Sequence, residues 1–250
     1  MDPLTISAAS GLRARMETLD MLANNLANAA TSGFKSDREF YSLYVSPEAD
    51  ASASANGNSN VTTVPVVEKS WTDFSPGLLV PTGNKLDLAL SGKGFFAANG
   101  SSGPLYTRNG NFRLSASGAL VTAEGYPLLT EDGKTIQSQS DSPLEVNPDA
   151  EVRQDGQVLG KLRIVDFPAN AEVVKQGSAY FQLTDPKIKL AQVSTAQVEQ
   201  GKIESSNVVA AESAVRLVGV MRQFEMLQRA VTLNADMNRR AVEEVAKVTS

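Results

Sequence analysis

The chain has 250 residues, of which 42% are hydrophobic, a net charge of −5, and neither histidine nor cysteine. This size accommodates one large domain or two modest ones with a real core. The missing residue types exclude a Ser-His-Asp triad, a cysteine nucleophile and a histidine or thiolate zinc site, and no basic run favours nucleic acid or an anionic membrane as partner.

The first fifteen residues, MDPLTISAASGLRAR, contain no apolar run like the core of a signal peptide. No stretch approaches the ~20 apolar residues of a membrane span. The expectation is a protein that stays in the cytoplasm or leaves by a route that reads no cleavable signal.

Residues 1 to about 33 predict a helix. Ala9, Leu12, Met16, Leu19, Ala23, Leu26 and Ala30 recur in steps of three and four and so share a face. Asp2-Pro3 offers an N-cap with proline at the first helical position, and Gly33 offers a left-handed stop. Phe34 would fold back onto Ala29 or Ala30, and Lys35 suits the negative helix end. On this phasing Asn24, Asn25 and Asn28 fall opposite the seam. Asparagine is a mediocre helix former, so an amide stripe makes sense where that face is covered by protein too.

Ser46–Asn60, SPEADASASANGNSN, is small, polar and low in complexity, and reads as a flexible linker or exposed loop. From Val61 to about Thr195 the pattern is short strands between turns. Asn99-Gly100, Asn109-Gly110, Ser117-Gly118, Glu124-Gly125 and Asp132-Gly133 mark chain reversals at short intervals. This spacing predicts a β sandwich or irregular barrel. Gly92 and Gly94 in LSGKGFF read as a tight turn, because a phosphate loop needs more glycines and a following helix. Asp149, Glu151, Asp155, Glu131 and Asp132 lack calcium-loop spacing and are explained as turn formers.

From about Asn207 the helical period returns. Leu217, Val220, Phe224, Leu227, Val231, Asn234, Asn238, Ala241, Val245 and Val248 form a heptad seam interrupted by two asparagines. Val218, Met221, Met226 and Leu233 lie off it, so the apolar face is wider than a two-stranded coil requires. Such surface outside a shared seam points to another chain. The methionines Met16, Met21, Met221, Met226 and Met237 read as adaptable packing. The plan is α+β: paired, coiled-coil-like N- and C-terminal helices bracketing a β-rich central domain.

Three blocks, in order, carry a family resemblance. LANNLANAATSGFKSDR resembles the N-terminal signature of bacterial flagellar axial proteins, the rod, hook and hook-associated family. TDFSPGLLVPTGNKLDLALSGKGFFAANG with LYTRNGNFRLSASGALVTAEGYPLL is similar to the central segment of the larger rod proteins and the hook protein. GKIESSNVVAAESAVRLVGVMRQFEMLQRAV is similar to the C-terminal helix signature. Within the family, RQFEMLQRA is more like a proximal-rod than a distal-rod chain.

The resemblance implies a structural subunit of the basal-body rod, not an enzyme, with no cofactor and no metal. It would leave unfolded through the flagellar type III export apparatus without a cleaved signal. It would polymerise helically in the periplasm with other copies of itself and neighbouring rod proteins. The implied layout is an N-terminal helix over 1–35, an extended connector over 36–85 with a flexible segment at 46–60, a β-rich outer domain over 86–195, and a connector and helix over 196–250. Helix pairing and assembly would rest on Leu12, Met16, Leu19, Asn24, Asn25, Leu26, Asn28, Gly33, Phe34, Leu217, Val220, Phe224, Leu227 and Val231. The alternatives are a distal-rod or hook subunit and, more remotely, a secreted hydrolase using paired carboxylates.

Overall fold

A computed structural model describes residues 3–45, 63–168, 171–185, 188–192 and 196–248. The expected linker Ser46–Asn60 lies outside the described residues. Helix α1 (Pro3–Ala27) comes first, a β-rich region follows, and helix α2 (Ala210–Val248) comes last, so the fold is α+β with helices bracketing strands. The chain divides into two compact units. One comprises Met1–Ala27, Asp37–Asp73 and Val209–Ser250, and the other Asn28–Ser36 and Phe74–Val208.

In the first unit, α1 lies against α2 and against strand β2 (Thr63–Thr72). Strand β1 (Asp37–Val45) pairs antiparallel with β2, from Asp37 opposite Thr72 to Val45 opposite Thr63, with a register shift between Phe40 and Tyr41. The half-buried positions of α2 include Leu217, Val220, Phe224, Leu227, Val231 and Asn234. These are the three-and-four steps read from the sequence. A Cβ at Gly11 would stand 3.8 Å from Leu227 Cδ1, an ordinary contact distance, so α1 and α2 lie close there.

The phase of α1 differs from the expected one. Its fully buried stripe is Ala14, Thr18, Leu22 and Asn25, while Leu12, Leu19 and Leu26 are half-buried at its margin. Met16 is 54% exposed, and Ala9, Ala23 and Ala30 are exposed. The buried face is turned by about one residue, ~100° on a helix of 3.6 residues per turn. Two polar residues occupy it because the chain satisfies them. Thr18 Oγ1 donates to the Ala14 carbonyl at 2.9 Å. Asn25 Nδ2 donates to the Asp37 carbonyl at 2.8 Å, and its Oδ1 accepts the Asp37 amide at 2.9 Å. Asn25 therefore does not lie on an outer amide face with Asn24. It caps both backbone groups of the first residue of β1. The helix also ends at Ala27 rather than near 33, and a turn follows in which the Thr31 amide donates to the Asn28 carbonyl at 3.0 Å.

The second unit is built on a six-stranded antiparallel sheet. Its order is β13 (Val173–Gln176), β14 (Tyr180–Leu183), β6 (Gly103–Thr107), β5 (Phe95–Gly100), β12 (Ile164–Asp166) and β15 (Ala191–Gln192). A three-stranded sheet of β11 (Gln157–Lys161), β10 (Glu151–Gln154) and β9 (Glu145–Val146) adjoins the same core. Three pairs complete it: β7 (Phe112–Leu114) with β8 (Leu120–Thr122), β16 (Gln197–Gln200) with β4 (Leu88–Ser91), and β17 (Lys202–Glu204) with β3 (Leu79–Pro81). Gly118, Gly125 and Gly133 hold positive φ at turns that the Gly spacing marks.

Alternation along β5 separates two cores. Phe96 and Ala98 join Leu88, Leu90, Leu120, Leu128 and Ile136 on one side. Phe95 and Ala97 join Tyr106, Val165 and Phe181 on the other, with Phe74 and Phe167 packed against them. The Phe74 and Phe95 rings meet edge to face at 5.4 Å, and Phe74 and Phe181 at 5.2 Å. Each such fully buried side chain contributes roughly 1.5–3 kcal/mol of transfer free energy. This unit therefore holds a core of its own.

A buried ionic clamp as candidate functional site

The segment after α1 is shaped by Gly33. Its φ is +69°, and a Cβ there would fall 2.2 Å from the Asn109 amide nitrogen and 2.3 Å from the Arg108 carbonyl carbon. Only glycine meets both conditions. The Gly33 amide donates to the Glu204 carbonyl at 2.8 Å. Phe34 is buried at 1% exposure, with the Lys175 ammonium 4.5 Å from its ring centroid. Lys175 Nζ also donates to the Lys35 carbonyl at 2.6 Å.

Lys35 is not a helix-end cation. Its side chain and that of Glu204 are both 0% exposed, and Nζ donates to Glu204 Oε1 at 2.5 Å and to the Ser75 carbonyl at 2.8 Å. Glu204 Oε1 also accepts the Gly77 amide at 2.9 Å, and Oε2 accepts Arg108 Nη1 at 2.9 Å. Arg108, 3% exposed, sends Nη1 to the Leu90 carbonyl at 3.2 Å and Nη2 to the Gly92 carbonyl at 2.6 Å. Its guanidinium lies 5.3 Å from the Phe95 ring centroid. Two cations thus share one carboxylate, and the extra positive charge is met by three backbone carbonyls. Gly77 allows the approach from its side, since a Cβ there would meet the Ser205 carbonyl oxygen at 2.0 Å.

Asn207 extends the clamp. Its Oδ1 accepts the Ser36 amide at 2.8 Å, and its Nδ2 donates to the Ser75 carbonyl at 3.2 Å. Residues 35 and 204, 169 positions apart, are therefore locked together at the two points where the chain connects to α1 and α2. A buried ion pair is costly to form and far more costly to break on one side only. The arrangement fixes Lys35, Arg108 and Glu204 against one another within the second unit.

Of the residues expected to pair helices or build an assembly, Gly33 and Phe34 are in this clamp region. Leu217, Val220, Phe224, Leu227 and Val231 are half-buried on α2, Leu12, Leu19 and Leu26 flank the stripe of α1, and Met16 and Asn24 are exposed. Asn28 is half-buried, and its Oδ1 accepts the Thr31 hydroxyl at 3.2 Å. Sequence reading missed Lys35, Arg108, Glu204 and Asn207. Each stands inside a quoted signature block (GFKSD, YTRNGNF, KIESSNV), and that placement was the one signal available.

Among the described residues, four of the five turn carboxylates, all but Asp132, have structural partners. Glu131 pairs with Lys161 at 3.2 Å, Glu151 with Arg153 at 2.5 Å, and Asp149 Oδ1 accepts the Glu151 amide at 3.3 Å. Hydrogen bonds from Ser140 and then Ser142 lower the pKa of Asp155. Among the described residues no three His, Cys, Asp or Glu side chains converge as metal ligands. No helix among them is long and apolar enough to cross a membrane.

Three family models match in chain order. Residues 7–35 match one described as flagella basal body rod protein, 89–160 the flagellar hook protein FlgE/F/G D1 domain, and 199–244 the flagellar basal body rod FlgEFG protein C-terminal. The class so defined is that of flagellar hook and rod chains, with a helix at each end and a β domain between. The flagellar basal-body rod protein FlgF of Caulobacter vibrioides is 32% identical over 232 residues, 92% of each chain. FlgF of Mesorhizobium japonicum is 29% identical, covering 89% of this chain and 88% of that one. FlgG of Bacillus subtilis is 29% identical, covering 92% and 94%. The chain belongs to the flagellar basal-body rod protein family.

Proposed function

We propose that this chain is a structural subunit of the bacterial flagellar rod, of the proximal rather than the distal part. It polymerises helically with copies of itself and with neighbouring rod proteins, in the shaft that transmits torque and encloses the export channel. It binds no cofactor and performs no catalysis. It reaches the periplasm through the flagellar export apparatus without a cleaved signal. The layout is read as an N-terminal segment to residue 35 whose helix ends at Ala27, a connector to 85, an outer β domain to 195 and a C-terminal connector and helix.

The observation that carries the reading is the outer face of α2. Val218, Met221, Met226, Leu233 and Met237 are 47–62% exposed on a helix whose other face already lies against α1. A solitary soluble chain has little use for a second apolar face, whereas a helically packed one covers it. In the assembled rod α1 and α2 pair in coiled-coil fashion through Leu12, Leu19, Leu26, Leu217, Val220, Phe224, Leu227 and Val231. Asn24 and Asn28 face neighbouring subunits. The proximal assignment is supported by the resemblance of RQFEMLQRA to proximal-rod chains.

The test places a photoreactive residue at Asn24 and recovers basal bodies after irradiation. Crosslinks to proximal rod subunits are expected. Crosslinks to hook subunits alone, or a chain absent from basal bodies, would refute the assignment.

A further inference from the structure

The β unit carries an open cavity of about 800 Å³ whose lining includes Pro104, Tyr106, Arg163, Thr184, Lys189 and Leu190. It sits where the β5–β6 hairpin, the end of β14 and the residue preceding β12 meet. Arg163 Nε is buried and has no hydrogen-bond partner. Among the described residues its terminal nitrogens form no hydrogen bond or ion pair either, and Lys189 is exposed and equally unpaired. Tyr106 is 3% exposed and lines the same space, and the guanidinium is close enough to bias it electrostatically. Among the described residues no acidic side chain lines the cavity. A buried guanidinium nitrogen without an acceptor is costly, and its usual partner is a carboxylate or phosphate held by two parallel N–H groups. Tyr106, Thr184 and Lys189 line the same space with groups able to donate, while Pro104 and Leu190 offer apolar wall to a side-chain stem.

We propose that this cavity is a socket for a carboxylate carried on an exposed turn of a second copy of the chain. The proposal rests on the rod-subunit reading above. Charge complementarity selects the occupant. The chain is net acidic at −5. Most of its turn acids are engaged within the chain, but Asp132, in the turn closed by the Gly133 amide on the Thr130 carbonyl, and Asp141 are exposed and have no hydrogen bond or ion pair among the described residues. A two- or three-residue turn tip bearing one such acid matches a pocket of this size.

Self-association of the full chain is measured by sedimentation velocity across a concentration series, for the wild type and for Arg163→Gln, Lys189→Gln, Asp132→Lys and Asp141→Lys. Thermal melting confirms that each variant is folded. Arg163→Gln is expected to weaken association about ten-fold, the loss of one charge-assisted contact, and Lys189→Gln less. One of the two aspartate reversals is expected to match Arg163→Gln, and its combination with Arg163→Asp to restore association. A folded Arg163→Gln chain that associates like the wild type overturns the proposal. So does indifference to both aspartate reversals, or calorimetric binding of inorganic phosphate or glutarate with self-association unchanged. A wild-type chain that stays monomeric also overturns it. If that chain still restores motility to a strain lacking its rod subunit, the rod function stands while the socket falls.

Discussion

Replacing Glu204 by glutamine tests whether the clamp stabilises the second unit. The substitution keeps the side chain's size and one acceptor but removes the carboxylate shared by Lys35 and Arg108, which are 0% and 3% exposed in their side chains. It also puts an NH2 group either against two donors, Lys35 Nζ and the Gly77 amide, or against Arg108 Nη1. Breaking a buried pair from one side costs about 3–5 kcal/mol. For a domain of this size each kcal/mol lowers Tm by about 2–4 °C, so a drop of roughly 6–20 °C is expected. Calorimetry and near-ultraviolet circular dichroism of the purified chain report it through the aromatic cluster around Phe95. The triple variant Lys35→Met, Arg108→Met, Glu204→Leu removes all charge and should recover much of the loss, because well-packed apolar replacements of buried ion groups are often neutral. A Glu204→Gln chain melting within 1 °C of the wild type would refute the reasoning.

Gly33→Ala combines a positive φ with a Cβ 2.2 Å from the Asn109 nitrogen and should cost at least about 2 kcal/mol, read from urea midpoints. Asn25→Ala leaves both backbone groups of Asp37 without their partner and should cost about 1–3 kcal/mol. Faster amide hydrogen exchange at Asp37 would locate the effect. Tyr180 is raised in pKa, first by burial and then by the Glu124 carboxylate its hydroxyl bonds. A raised folded pKa contributes stability that is whole below the unfolded value near ~10 and is lost as pH rises toward the folded one. Tyr180→Phe should therefore flatten the fall of Tm above about pH 10, and an unchanged slope would contradict the assignment.

The long C-terminal helix was legible because its period is carried by large apolar residues at regular steps, and its half-buried face is where those steps place it. The reading of α1 slipped because its buried stripe contains Thr18 and Asn25, whose polarity looks outward on any hydropathy scale. Their burial depends on partners, and the Asp37 backbone that receives Asn25 becomes available only once β1 has formed. Gly33 was legible as a left-handed residue, but the closeness of Asn109, its second reason for being glycine, was not.

The sequence by itself determined the order helix, β-rich region, helix, the turn positions marked by glycine, the exclusion of histidine and cysteine chemistry, and the resemblance to flagellar axial proteins. These depend on local periodicity and residue type, which one stretch of chain carries alone. Only the tertiary structure decided that Lys35, Arg108 and Glu204 form one buried site, that Asn25 serves its own chain, and that Arg163 lines a cavity with no acidic side chain among the described residues. Whether a charge is solvated or buried depends on residues far away in sequence, and a lysine followed by a serine looks the same in either case.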